Sequence, residues 1–250
     1  MYKIILLLVL IYFLFFYKKT VENFNNDFTY YTLYIPKRFN YIKNEMNKMK
    51  ILPKYIRGPD KNKLKLQALI DDNIIKQKWY SDTVNNTKYI KPYNTGRVAC
   101  HLGHINILKE FLKTSEKYAI IFEDDIKFKD NEIKNKIKTI INNIPEDTDI
   151  LYFSYCFEYC DKVQKINNIF SKAYRPLCRH FYLVSKNGAK KIIVNTLPMF
   201  SSGDRMIGHL IKNKILNGYI VNPEFLNIQQ NRNENIQTEL DNIQNHQLCM

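Results

Sequence analysis

Three consecutive acids, Glu123, Asp124 and Asp125, follow directly on the apolar run Tyr118-Ala-Ile-Ile-Phe122. Carboxylates cannot share a dry interior, because each unpaired buried ion costs several kcal/mol or more. A run of β-formers can be buried, so the acids are expected to emerge at its C-terminal end. In open α/β sheets that edge is where ligands bind. Clustered hard oxygens suit Mg²⁺ or Mn²⁺, and such an ion suits a phosphate. On an extended backbone Glu123 and Asp125 point to one side and Asp124 to the other, which makes Glu123 and Asp125 the candidate metal ligands. The plain alternative is a solvated turn after a strand, paired with Lys127.

Other reactive side chains stand on either side of this run. His101 and His104 are three apart on a helical pattern. His104 continues to Leu108, Phe111 and Leu112 on the core side, whereas His101 falls towards that face's edge. A lone inward histidine is ordinarily a hydrogen-bonded core residue, and no further ligands stand at zinc spacing. Asp204, in Gly203-Asp-Arg205, lies at an expected helix start. There it is either a partner for the helix dipole or a general base that positions an acceptor. Residues 185–189 combine a helix cap with small side chains, but form no glycine-rich phosphate loop.

Periodicity supplies the elements that must position these groups. Strands are expected over residues 29–35, 51–56, 118–122, 149–155, 181–184 and 219–221. Helices are expected over 38–49, 64–75, 96–113, 131–144, 185–193 and 204–214, with Ser185 capping the fifth and Ser201 or Ser202 the sixth. Pro36 stops the first strand, and Gly58-Pro-Asp60 reads as a turn. Residues 79–94 are polar and contain the acceptor sequon Asn85-Asn-Thr87. Strands alternating with helices imply an α/β fold with a mostly parallel sheet flanked by helices.

With 250 residues, 45% of them hydrophobic, the chain can bury one sizeable core. The formal net charge of +14 is spread from end to end, with no arginine cluster and no nucleic-acid-binding motif. Solvated charge, attractive to phosphates in general, is the reading, and no specific nucleic-acid partner is expected. Among five cysteines, Cys156 and Cys160 are four apart and read as two thiols, with a disulfide between them the alternative. At the N-terminus residues 4–17 are uninterruptedly apolar and aromatic, flanked by Lys3 and by Lys18-Lys19. The run is short beside the roughly 17–25 residues of a spanning helix, but lysines snorkel towards the interface. No cleavage site of small residues follows, so residues 1–20 are expected to be a single-pass signal anchor, consistent with a secretory-pathway membrane. Residues 21–230 would then form the catalytic domain and residues 231–250 a polar tail.

Four segments together resemble glycosyltransferase family 25, the lipooligosaccharide and procollagen galactosyltransferase type. They are Gly96-Arg-Val-Ala-Cys-His-Leu-Gly-His104, Tyr118-Ala-Ile-Ile-Phe-Glu-Asp-Asp125, Phe181-Tyr-Leu-Val-Ser-Lys-Asn-Gly-Ala189 and Ser201-Ser-Gly-Asp204. Ala99 and Gly103 stand where the family favours Gly and Ser, and its early Asn-Leu…Arg pattern reads Tyr34-Ile-Pro-Lys-Arg38 here, with Tyr41 near the usual later arginine. The resemblance implies a GT-A-like (Rossmann-like) fold, a UDP-sugar donor, Mn²⁺ or Mg²⁺ on Glu123 and Asp125, and Asp124 towards the ribose. It further implies that His104 shapes the donor pocket and that Asp204 is the base of an inverting transfer. The implied reaction moves a hexose such as galactose or glucose onto a glycan or a hydroxylated protein side chain. The rival reading is a non-catalytic, membrane-tethered nucleotide-sugar-binding protein of the same fold.

Overall fold

The computed structural model describes residues 27–79, 95–128, 133–226 and 228–230. The expected anchor, the sequon and the polar tail lie outside the described residues. Among the described residues, no helix is long and apolar enough to cross a membrane.

In chain order the strands are β1 (Phe28–Tyr34), β2 (Lys54–Arg57), β3 (Tyr118–Glu123), β4 (Ile126–Lys127), β5 (Ile150–Ser154), β6 (Gln164–Lys165), β7 (Phe170–Lys172), β8 (Phe181–Ser185), β9 (Gly218–Val221) and β10 (Gln229–Gln230). The helices are α1 (Phe39–Lys48), α2 (Leu66–Asp71), α3 (Thr95–Leu112), α4 (Ile133–Asn142), α5 (Lys186–Thr196) and α6 (Gly203–Lys212). Short 3₁₀ turns cover Pro36–Arg38, Lys61–Lys63 and Cys160–Lys162. The expected helix over residues 64–75 is confined to α2, and Pro53 delays β2 to Lys54.

Eight strands form one sheet in the order β2-β1-β3-β8-β5-β9-β7-β6, while β4 and β10 pair separately. β1 runs parallel to β2 and β3, and β5 runs parallel to β9. β8, between β3 and β5, is antiparallel to both, and β7 is antiparallel to β9. The sheet is therefore mixed, with β7 and β8 running against the rest. β8 is buried from Phe181 to Val184, and a strand covered on both faces reads alike in either direction.

Alternation along the strands divides the interior into two layers. Ala119 and Ile121 of β3, Tyr182 and Val184 of β8, and Tyr152 of β5 face α3, α5 and α6. Ile120, Phe122, Leu183, Phe181 and Phe153 face the other way, against Ile42 and Met46 of α1 and Ile133, Ile137 and Ile140 of α4. Ser185 caps α5 as expected, its hydroxyl accepting from the Gly188 N–H at 3.1 Å. Lys186 then reaches back to the end of α3, donating to the Phe111 carbonyl at 2.6 Å, where a cation suits the helix C-terminus.

The cysteine pairing differs from both readings of the Cys156–Cys160 spacing. Cys156 is bonded to Cys178, 22 residues on, joining the segment after β5 to the one before β8. Chain spacing carries no information about contacts made between separate loops.

In the second layer the Phe181 ring stacks between Phe122, 4.6 Å away, and Phe153, 4.2 Å away. Phe181→Ala is expected to destabilise the fold by about 3–5 kcal/mol through the cavity and the lost ring contacts. Equilibrium urea unfolding checks this, and a loss below about 1 kcal/mol would contradict the packing described.

Candidate functional site

Parallel pairing of β1 with β3 brings two C-terminal strand ends to one edge, with Leu33 opposite Glu123. The chain leaves β1 through the 3₁₀ turn that starts at Pro36, and it leaves β3 through the acids. β8 runs the other way, so its entry lies at the same edge, and the Glu123 N–H donates to the His180 carbonyl at 2.8 Å. A cleft of about 430 Å³ opens there. Its walls are the β1 exit from Leu33 to Arg38, the Arg57–Asn62 loop, Gly96, Ala99 and Cys100 of α3, and Glu123, Asp124 and Asp125.

Asp124 and Asp125 form a tight turn before β4 rather than continuing the strand. The two-residue alternation expected for Glu123 and Asp125 therefore does not extend past Glu123, and all three acids line the cleft. Asp124 is the structural member. Its Oδ2 accepts from the Ile35 N–H at 2.6 Å, and its Oδ1 meets Arg38 Nη2 at 2.9 Å. Arg38 also approaches Asp125, with Nη1 3.8 Å from Oδ2. Asp125 is 2% exposed.

His104 is fully buried and does not line the cleft. It sits behind Glu123, with Nε2 2.7 Å from Oε1 and Nδ1 3.0 Å from the Tyr182 hydroxyl. Burial, and then Arg179, hold its pKa well below the usual histidine range. A neutral ring that donates from Nε2 to Glu123 and accepts at Nδ1 from Tyr182 satisfies all three groups. His104 thus orients a cleft carboxylate rather than shaping the pocket by direct contact. Cys100 Sγ donates weakly to the same Glu123 oxygen across 3.7 Å.

His101 is also fully buried, not at an edge. α3 packs against α6 as well as the sheet, so its second face is interior too. His101 Nε2 meets Thr196 Oγ1 at 3.0 Å, and its Nδ1 lies 3.5 Å from Arg179 Nη2. A Cβ on Gly203 would stand 2.6 Å from His101 Nδ1 and closer still to Arg179 Nη2. Glycine at the first position of α6 is what lets that helix start against these two side chains.

Asp204 follows, outside the residues that line the cleft and paired with Arg179. Its Oδ1 accepts from Arg179 Nε at 2.9 Å and its Oδ2 from the Cys178 N–H at 3.1 Å, while the side chain is 36% exposed. Arg179 is 2% exposed. Burial alone would lower its pKa, but Asp204, Tyr182, Cys100 and Glu123 carry it above the ordinary arginine value. Arg179 and Arg38 were not among the expected site residues, and Arg179 stands in no motif. The signal for Arg38 was its place in the family's early pattern, Tyr34-Ile-Pro-Lys-Arg38.

Comparisons with known proteins supply the family. A family model described as "Glycosyltransferase family 25 (LPS biosynthesis protein)" matches residues 34–224, a span that takes in the β1 exit, the acids and α6. "Procollagen galactosyltransferase 1-A" of Xenopus laevis is 26% identical over 110 residues, which cover 41% of this chain and 18% of that protein.

Desolvation of the acids has a pH consequence. Burial raises Asp124 to about 6, with Arg38 and the Ile35 N–H opposing. Burial also raises Glu123, with Asp204 adding, and Asp125, with Glu123 adding. The folded state therefore keeps protons that the unfolded chain has released, and it loses stability as pH rises through the raised values. Without divalent cations, the melting temperature is expected to fall from about pH 5 to about pH 8.5, and more shallowly in Asp125→Asn. Scanning calorimetry across that range checks it. A slope unchanged by the substitution would contradict the assignment.

Proposed function

The chain belongs to glycosyltransferase family 25, and from that premise we propose a metal-dependent, inverting glycosyltransferase of GT-A-like fold. It moves a hexose such as galactose or glucose from a UDP-sugar onto a glycan or a hydroxylated protein side chain. The observation that carries this reading is the surplus of carboxylates on the cleft wall. Three acids with burial-raised pKa values face one guanidinium, that of Arg38. Hard oxygen donors drawn together at a net negative, desolvated spot fit Mn²⁺ or Mg²⁺. Glu123 and Asp125 would hold the ion, with Asp124 fixing the turn between them. When bound, such an ion would supply positive charge that offsets the negative charge of departing UDP.

The remaining work falls to side chains. Lys37, Arg57 and Lys61 add cations to the cleft lining beside Arg38, suited to drawing in and orienting a diphosphate. His104, steadied by Tyr182, keeps Glu123 in one orientation. Asp204 takes the proton of the acceptor hydroxyl. Arg179 and the Cys178 N–H hold its carboxylate in place while its remaining lone pairs stay open.

For localisation, residues 1–20 are proposed as the membrane anchor, and the Cys156–Cys178 disulfide supports an oxidising compartment for the domain. A non-catalytic, membrane-tethered nucleotide-sugar-binding protein is the rival reading. In its favour, both Asp204 oxygens are already engaged.

Release of UDP from a UDP-hexose in the presence of Mn²⁺ and an acceptor tests the proposal. Asp125→Ala is expected to bring Mn²⁺-dependent turnover to background while circular dichroism shows an intact fold. Unchanged turnover would remove the metal assignment. Asp204→Asn is expected to abolish transfer yet retain UDP binding, and retained transfer would exclude Asp204 as the base.

A further inference from the structure

Next to Asp204 and outside the cleft, the guanidiniums of Arg175 and Arg205 lie near one another. Arg205 stands in the first turn of α6 and is partly buried. Arg175 comes from the segment between β7 and β8. Its Cγ lies 2.9 Å from where a Cβ on Gly208 would sit, and Gly208 is three residues on from Arg205, on the same helix face. Arg97 belongs to the same neighbourhood, one turn before His101, which packs against Gly203. Among the described residues, neither Arg175 nor Arg205 makes a side-chain ion pair. The crowding is felt: burial, then Arg175 and Arg97, pull the Arg205 pKa below the ordinary arginine value. Like charges held together at a half-buried place are relieved by an anion, and guanidinium forks match carboxylates and phosphates in geometry.

An aromatic surface adjoins them. Tyr159 is 40% exposed and meets Tyr174 edge to face at 5.8 Å. Glu158, fully buried, accepts from the backbone N–H groups of Tyr159 at 2.7 Å, Tyr174 at 2.9 Å and Arg175 at 2.8 Å. One carboxylate therefore presets the backbone at all three positions, and little ordering is left to be done on binding. The face of an exposed ring packs on the C–H face of a sugar while its polar edge stays wet.

We propose that Arg175, Arg205 and Tyr159 form an acceptor subsite for a sugar that carries an anionic group, carboxylate or phosphate, in the same molecule as the hydroxyl presented to Asp204. This rests on the transferase reading above and adds the chemical class of its acceptor. Tyr159 supports the ring, the guanidiniums pair with the charge, and Asp204 stands beside Arg205 to receive the hydroxyl proton.

Saturation-transfer NMR on the full chain tests it, with methyl β-D-glucuronide, glucose 6-phosphate, methyl β-D-glucoside and inorganic phosphate as probes, without donor or metal. At least one anionic sugar is expected to bind about tenfold or more tightly than the neutral glucoside. Preference for the glucuronide identifies a carboxylate ligand, and preference for the sugar phosphate a phosphate ligand. Arg175→Gln and Arg205→Gln, on separate elements, are each expected to erase the preference; should one fail to fold, the other decides. Equal binding of the neutral glucoside, a preference that survives the substitutions, or inorganic phosphate binding as tightly as the sugars would overturn the subsite. Binding of UDP with Mn²⁺ is measured separately. Its absence would sink the transferase reading, while the sugar titration still reports on these arginines alone.

Discussion

Taking three carboxylates out of water at the end of a buried strand is the constraint on which the rest of the molecule depends. Each acid must find its own compensation, because three like charges cannot relieve one another. Parallel pairing solves the first part. With Leu33 opposite Glu123, the chain leaving β1 presents the Ile35 N–H to Asp124, and the turn begun by Pro36 delivers Arg38 to Asp124 and Asp125. An antiparallel partner at this position would send its exit to the opposite edge of the sheet. The direction of β1 is thus an electrostatic requirement as well as a topological one.

The second part is solved from beneath. α3 buries residues around much of its circumference, including Arg97, His101 and His104, because it lies between the sheet and α5 and α6. A neutral His104 can be buried at modest cost, since both ring nitrogens are satisfied by Tyr182 and Glu123. Gly103 on the same helix admits the Leu33 side chain, which would stand 2.6 Å from an added Cβ. The glycine in place of the family's serine is therefore a packing solution that brings the β1 exit close to α3.

How much of this was legible depends on whether a feature is local. The strand that ends in acids, the Ser185 cap and the core face of α1 are written in neighbouring residues, and they appear where periodicity put them. The reversed direction of β8 was hidden because a strand buried on both faces carries no directional signal. The Cys156–Cys178 bond was hidden because it depends on where two loops meet. His101 was read as an edge residue on the assumption of a single buried face, which α6 invalidates. The alternation rule did not put Asp124 in the cleft, because the strand gives way to a turn after Glu123 and all three acids line the wall. Arg38 and Arg179 act entirely through contacts distant in sequence, so residue type alone could not single them out.

Arg179 gives these separate solutions a common element. Its guanidinium pairs directly with Asp204 and acts electrostatically on Glu123, so the acceptor side and the cleft share one buried cation. Asp204 raises the pKa of Glu123 while Arg179 lowers it, and the charge state on one side is therefore felt on the other. Gly203, by lacking a Cβ, makes room for the Arg179 guanidinium against α6, and the Cys156–Cys178 bond ties down the residue just before it. A buried guanidinium that attracts both carboxylates offsets their mutual repulsion. Under the proposed function, that shared cation is what allows one carboxylate to serve the donor's diphosphate and the other the acceptor's hydroxyl.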